Sequence, residues 1–263
     1  MNWFIINSKK NRKENKRKER KKWVMYQNYI FDLYGTLVDI RTNENKAYLW
    51  DKMAEMFGFY GAIYTRTELK TNYYKYVNEL EQKMKKIEEY PEIDLDVVIR
   101  RLFEDKGIQV EDDVIDFIQK MFRVVSTKFI CLYDGVIDFL EALKKKGKNV
   151  YLLSNAQSRF TRPEITFLGI EKYFDGILIS SEEGCKKPGS SFYNCLLERY
   201  HLDKNESIMI GNDSRSDILG SYNVGLDSLY IHTEISPECE KDLKSKYTIM
   251  DGDFRKIQPL ILK

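Results

Sequence analysis

Eight consecutive residues, Asp32-Leu33-Tyr34-Gly35-Thr36-Leu37-Val38-Asp39, carry the strongest chemical signal in the chain. They follow the apolar run Tyr29-Ile30-Phe31, which predicts the end of a buried strand. A carboxylate at such a tip is expensive to desolvate unless something partners it. A metal ion, a lysine or a ring of amides would offset that cost, and the rest of the sequence supplies candidates for all three. Ser154 and Asn155 close the run Val150–Leu153, Lys187 follows a strand predicted to end near Ser180, and Asp213 and Asp217 follow Ser207–Ile210. Taken singly, each has a plainer reading. Asp32 could cap a turn, Ser154 could cap the next helix, and a lone lysine usually faces solvent. Asp213 and Asp217 could be a cap and a surface residue. Two carboxylates four apart on a helix repel one another, and Mg²⁺, which takes one or two carboxylates plus water, would relieve that.

The elements that would position these groups alternate. Short apolar runs recur at Tyr29–Phe31, Val150–Leu153, Gly176–Ser180, Ser207–Ile210, Ser228–His232 and Tyr247–Met250. Helical spacing separates most of them, as in Val136-Ile137-Phe139-Leu140-Leu143, which closes on Lys144–Lys146 and Gly147. Ser191 to Tyr200 and Ser216 to Val224 also predict helices. The expected class is therefore α/β, a doubly wound parallel sheet with helices on both faces. In such a sheet ligands bind beyond the carboxyl ends of the strands. All the candidate groups fall there, and that convergence is the argument for chemistry.

Residues 42–131 differ. They hold long charged amphipathic segments, Asn45–Phe57, Thr67–Glu89, Leu95–Lys106 and Val110–Lys128, interrupted by Pro91, and no strand is predicted among them. The expected organisation is an all-helical insert at 42–131 and a sheet domain at 26–41 and 132–263. Residues 1–25 are expected to be a basic extension.

Bulk composition bounds the rest. The 263 residues are 43% hydrophobic and 32% charged, as in a soluble globular protein. No apolar run approaches the ~20 residues of a membrane span. The short apolar start Met1–Ile6 precedes its charges, the reverse of a secretory signal. Four scattered cysteines and two histidines argue against zinc and fit reduced thiols in a cytoplasm. Residues 1–25 carry ten Lys or Arg and two Glu, so most of the chain is acidic beneath an overall charge of +2. The basic run Lys9–Lys22 could touch nucleic acid or an anionic surface, but its polarity reads as a solvated tail.

Together the motifs resemble the haloacid dehalogenase-like hydrolase superfamily over residues 29–233. The first motif of that family, Asp-x-Asp-x-Thr-Leu, corresponds to Asp32-Leu33-Tyr34-Gly35-Thr36-Leu37. Its strand-closing Ser/Thr corresponds to Leu152-Leu153-Ser154-Asn155, and its lysine to Lys187-Pro188. Its acidic pair corresponds to Gly211-Asn212-Asp213-Ser214-Arg215-Ser216-Asp217. The resemblance implies a Rossmann-like core with a helical cap of the family's first type. It also implies a nucleophilic Asp32 that forms a covalent aspartyl intermediate. Mg²⁺ would be held by Asp32, the main-chain carbonyl of Tyr34 and Asp213 or Asp217. Ser154, Asn155 and the loop Leu33–Thr36, including Gly35, would hold the substrate, and Lys187 would neutralise charge. The substrate would be a small phosphorylated metabolite.

One position departs from the phosphatase pattern. The usual second aspartate, which protonates the leaving group, is Tyr34 here. A phenol is a poor general base at neutral pH, and losing that help costs ~10²–10⁴-fold. Asp-x-Tyr-Gly-Thr is also the form of the family's 2-haloacid dehalogenases, which displace halide without a metal and use a cap arginine, for which Arg66 is a candidate. Retention of Asp213 and Asp217 favours the phosphatase. A third alternative is a catalytically weakened member that binds or regulates.

Overall fold

The computed structural model describes residues 26–262. The basic extension expected at residues 1–25 lies outside them. The described chain runs β1 (Asn28–Phe31), β2 (Val38–Thr42), α1 (Ala47–Phe59), α2 (Arg66–Met84), α3 (Leu95–Glu104), α4 (Asp112–Ser126) and β3 (Thr127–Leu132). It continues through α5 (Val136–Lys145), β4 (Asn149–Ser154), α6 (Ser158–Phe167), β5 (Gly176–Ile179), α7 (Ser180–Glu183) and α8 (Ser190–Arg199). It ends with β6 (Ser207–Gly211), α9 (Gly220–Asn223), β7 (Asp227–Ile231), β8 (Tyr247–Ile249) and α10 (Ile257–Ile261).

Six strands form one sheet in the order β5-β4-β1-β6-β7-β8, and every neighbouring pair is parallel. All six are the runs expected from sequence. They read as continuous apolar stretches because helices cover both faces. On β1, Tyr29 and Phe31 enter one core with Phe139 and Phe254, while Ile30 points into the other with Tyr151, Phe192 and Tyr193. From β1 the chain moves to β4 and β5 on one side; from β6 it moves to β7 and β8 on the other. The strand order therefore reverses between β1 and β6, which places a crevice at their carboxyl ends.

The insert is four helices around an aromatic core of its own, which includes Trp50, Phe57, Tyr73, Phe103 and Phe122. Thr65 caps α2 by accepting from the Glu68 amide, and Asp94 caps α3 by accepting from the Asp96 amide. One expectation is corrected here. Val38–Thr42 and Thr127–Leu132 form a two-stranded antiparallel ladder at the root of the insert, where no strand was predicted. Half of β3 is exposed and α4 runs straight into it, so its residues look like a helix end. Among the described residues no helix is long and apolar enough to cross a membrane.

Candidate active site

Asp32 is the first residue beyond β1, and its amide still donates to Ile210 of β6 at 3.0 Å. That bond fixes the carboxylate at the crevice. One carboxylate oxygen, Oδ1, accepts from Lys187 Nζ at 2.7 Å; the other, Oδ2, accepts from the Thr36 hydroxyl at 3.2 Å. Gly35 between them has φ +87°, and a Cβ there would lie 2.2 Å from Asn212 Nδ2. Only glycine lets the loop turn this tightly against β6. The Leu33 carbonyl accepts from the amides of Leu37 and Val38, each at 2.9 Å. The Leu33 and Tyr34 amides donate to no acceptor among the described residues.

Lys187 is buried and bridges two carboxylates, Asp32 and Asp217, each at 2.7 Å. Burial disfavours its charge, but the Asp217 and Asp32 carboxylates outweigh burial and hold its pKa above the ordinary value. Burial pushes Asp217 up to about 7, against the pull of Lys187. Asn155 explains how the lysine is aimed. Its Oδ1 accepts from the Lys187 amide and its Nδ2 donates to the Lys187 carbonyl, both at 2.9 Å. Asn155, expected to touch substrate, is thus an anchor for the lysine's main chain. Ser154 Oγ closes β4, is fully buried, and has no hydrogen-bond partner among the described residues. A hydroxyl in that condition is rare and costs about 1–3 kcal/mol.

Both members of the expected acidic pair also hold main-chain amides. Asp213 Oδ1 caps the turn that follows it, accepting from the amides of Arg215 and Ser216 at 2.8 and 3.1 Å. Asp217 spends Oδ1 on Lys187 and Oδ2 on the Asp213 amide, 2.9 Å away. The side chain that reaches the Asp32–Thr36 loop from the end of β6 is Asn212. Its Oδ1 accepts from Thr36 at 3.3 Å, and its Nδ2 donates to Ser236 at 3.2 Å. The Thr36 hydroxyl lies between Asp32 Oδ2 and Asn212 Oδ1, and Asp213 Oδ2 accepts no hydrogen bond among the described residues. Among the described residues no three His, Cys, Asp or Glu side chains cluster to hold a metal ion. Asp32 and the Asn212 amide oxygen are oxygen donors of the kind Mg²⁺ takes together with water.

The Tyr34 side chain has partners of its own. Its hydroxyl donates to Glu164 Oε2 at 2.5 Å and lies 3.0 Å from Thr161 Oγ1. Burial raises its pKa, so it does not stand free as an acid or base. The guanidinium of Arg123, from α4, lies 4.9 Å from the Tyr34 ring centre and forms a two-pronged pair with Glu164 at 2.6 and 3.1 Å. Arg66, the arginine singled out from sequence, is exposed and pairs with Asp51. Asn212, Arg123 and Glu164 were missed. Asn212 had a readable signal: it directly follows the last residue of the β6 run.

Comparison with known proteins agrees with this geometry. The family described as haloacid dehalogenase-like hydrolase matches residues 26–225. A glyceraldehyde 3-phosphate phosphatase of Methanothermobacter thermautotrophicus is 32% identical over 46% of this chain and 54% of its own length. The pyrimidine 5'-nucleotidase YjjG of Escherichia coli is 30% identical over 40% of this chain and 47% of its own. The chain thus spans about half the length of these curated relatives. Among solved structures, a 2-haloacid dehalogenase from Pseudomonas syringae pv. Tomato DC3000 superposes with a TM-score of 0.58, covering 86% of this chain and 94% of that one at 20% identity, a likeness of fold. With that family model matched over most of its length, the chain belongs to the haloacid dehalogenase-like hydrolases.

Proposed function

We propose that the chain is a phosphatase-type hydrolase of small phosphorylated metabolites, with Asp32 as nucleophile and residues 42–131 as a cap over the site. The observation that carries this reading is the buried, unpartnered Ser154 hydroxyl at the end of β4, the strand next to β1, beyond whose end the Asp32–Lys187 pair sits. With the Leu33 and Tyr34 amides it offers three donors for the oxygens of an anion. The phosphatase names of the sequence relatives support the same class.

In this reading an Asp32 oxygen attacks phosphorus while the bond to the leaving group breaks. Water then cleaves the aspartyl phosphate, releases phosphate and restores the carboxylate. Lys187 restrains Asp32 and offsets charge that develops next to it. Because Tyr34 is committed to Glu164, the leaving group departs as an anion, which favours acyl phosphates and other weakly basic leaving groups. No step is assigned to Mg²⁺.

A second reading, halide displacement from a 2-haloacid, is favoured by the same two side chains, Tyr34 and Asn212. Halide needs no proton, and a carboxylate substrate demands less positive charge than a phosphate dianion. The test is phosphate release from acetyl phosphate and halide release from 2-chloropropionate, each with Mg²⁺ and with EDTA, for the full chain and for Asp32→Asn. Asp32-dependent phosphate release is expected. Halide release alone transfers the assignment to the second reading. Neither product, with a folded protein, leaves the non-catalytic alternative standing. Loss of phosphate release in EDTA would show that the reaction needs a divalent cation.

A further inference from the structure

The insert touches the core away from its root. Pro91 and Cys185 form an isolated antiparallel bridge, flanked by a bond from the Glu92 amide to the Gly184 carbonyl at 3.1 Å and one from the Lys186 amide to the Tyr90 carbonyl at 2.9 Å. The Tyr90 ring packs on Gly189, where a Cβ would lie 3.1 Å from Tyr90 Cβ. The core segment held this way is the loop that carries Lys187. The Glu92 side chain reaches the neighbouring loop. Its Oε2 accepts from Ser180 Oγ at 2.9 Å, and Ser180 Oγ in turn accepts from the Ala156 amide at 2.8 Å. Ala156 follows Asn155, whose side chain clamps the Lys187 main chain. Glu92 is nearly buried, and burial raises its pKa while Lys186, 3.9 Å away, pulls it down.

We propose that residues 90–92 are a strap by which the insert sets the position of Lys187, and that Glu92 is its positioning residue. The proposal rests on the hydrolase reading, because it concerns the charge that Lys187 brings to Asp32. Two contacts define the lysine loop, the Asn155 clamp from the core and the strap from the insert. Ser180 joins them, since it bonds both Glu92 and the residue after Asn155. Placement of the catalytic cation therefore depends on where the insert sits. Glu92 touches no reacting atom and acts through Ser180 and the two loops.

The experiment compares wild type, Glu92→Gln and Glu92→Ala as full chains. It measures kcat and KM on whichever of acetyl phosphate or 2-chloropropionate the wild type turns over, together with deuterium uptake of the 184–189 segment. Glu92→Ala is expected to lower kcat about tenfold with KM within about twofold, as misplacement of a catalytic group does. The same variant is expected to raise uptake at the Lys186 and Lys187 amides. Glu92→Gln keeps an oxygen acceptor for Ser180 and is expected to restore both readouts. Unchanged kcat in Glu92→Ala, or a change in KM alone, overturns the proposal. If the wild type turns over neither substrate, the functional reading is what has failed. The exchange data then still decide the strap, with unchanged uptake in Glu92→Ala overturning it. A melting temperature for each variant separates a local change from general unfolding.

Discussion

The core and the insert solve opposite problems. The core buries charge: Asp32, Lys187 and Asp217 lie together beneath the surface, each satisfied by another member of the group or by a main-chain amide. The insert buries rings. Phe57 stacks on Phe103 with ring centres 4.4 Å apart, and Trp50 meets Tyr73 and Phe122 edge-on at 5.3 and 5.7 Å. Its ion pairs, such as Arg66–Asp51 and Arg101–Glu79, sit on the outside and contribute ~0–1 kcal/mol each. A buried ion pair tolerates almost no displacement, whereas a packed aromatic core tolerates exchange of shape. Fixed buried charges therefore sit at the sheet, and the insert is built around rings.

Four substitutions would break or sharpen this contrast. The largest effect belongs to Asp32→Asn, an amide that cannot serve as nucleophile. Turnover should fall at least ~10³-fold with the melting temperature preserved. Activity near wild type would remove Asp32 from the mechanism. Next comes Lys187→Met, which leaves two buried carboxylates facing each other without a cation. Urea melts should show a loss of about 3–5 kcal/mol. A neutral result would mean that Asp217 takes up a proton and relaxes the pair. Phe57→Ala tests the other region: a cavity in the insert should cost about 3–5 kcal/mol. If the two regions are as separable as their cores suggest, near-UV dichroism of the insert will melt before the sheet. A single coincident transition would show the strap and the β2–β3 ladder to be strong enough to fuse them. The smallest change is Tyr34→Phe, which removes the bond to Glu164 and should cost about 1–2 kcal/mol, leaving kcat within a few-fold. A drop in kcat beyond ~10²-fold would return Tyr34 to proton transfer.

Much of this was legible in the sequence, for identifiable reasons. The six core strands are buried on both faces, so they appear as unbroken apolar runs. Strand ends then locate Asp32, Ser154, Lys187 and Asp217, and the structure brings Asp32, Lys187 and Asp217 into contact. The β2–β3 ladder escaped because it is partly exposed and lacks that signature. Asp213 and Asn212 point differently for a geometric reason. Past the end of β6 a shift of one residue reverses the direction of a side chain, so Asn212 enters the site while Asp213 turns to cap its own helix. Spacing between acids says nothing of that direction. Arg123 was invisible because nothing in a helical pattern tells which face of the insert looks toward Tyr34.

The unpartnered Ser154 hydroxyl has a thermodynamic meaning. A folded chain that carries an unmet buried donor is less stable than it could be, and whatever accepts that proton adds its binding energy to the native state. The melting temperature of this protein should therefore report site occupancy without any turnover. At 100 times its dissociation constant, an anion that completes the Ser154 bond would stabilise the fold by about 2.7 kcal/mol. Ranking small phosphates and carboxylates by that shift, with Ser154→Ala as the blank, would turn stability into a search for the substrate.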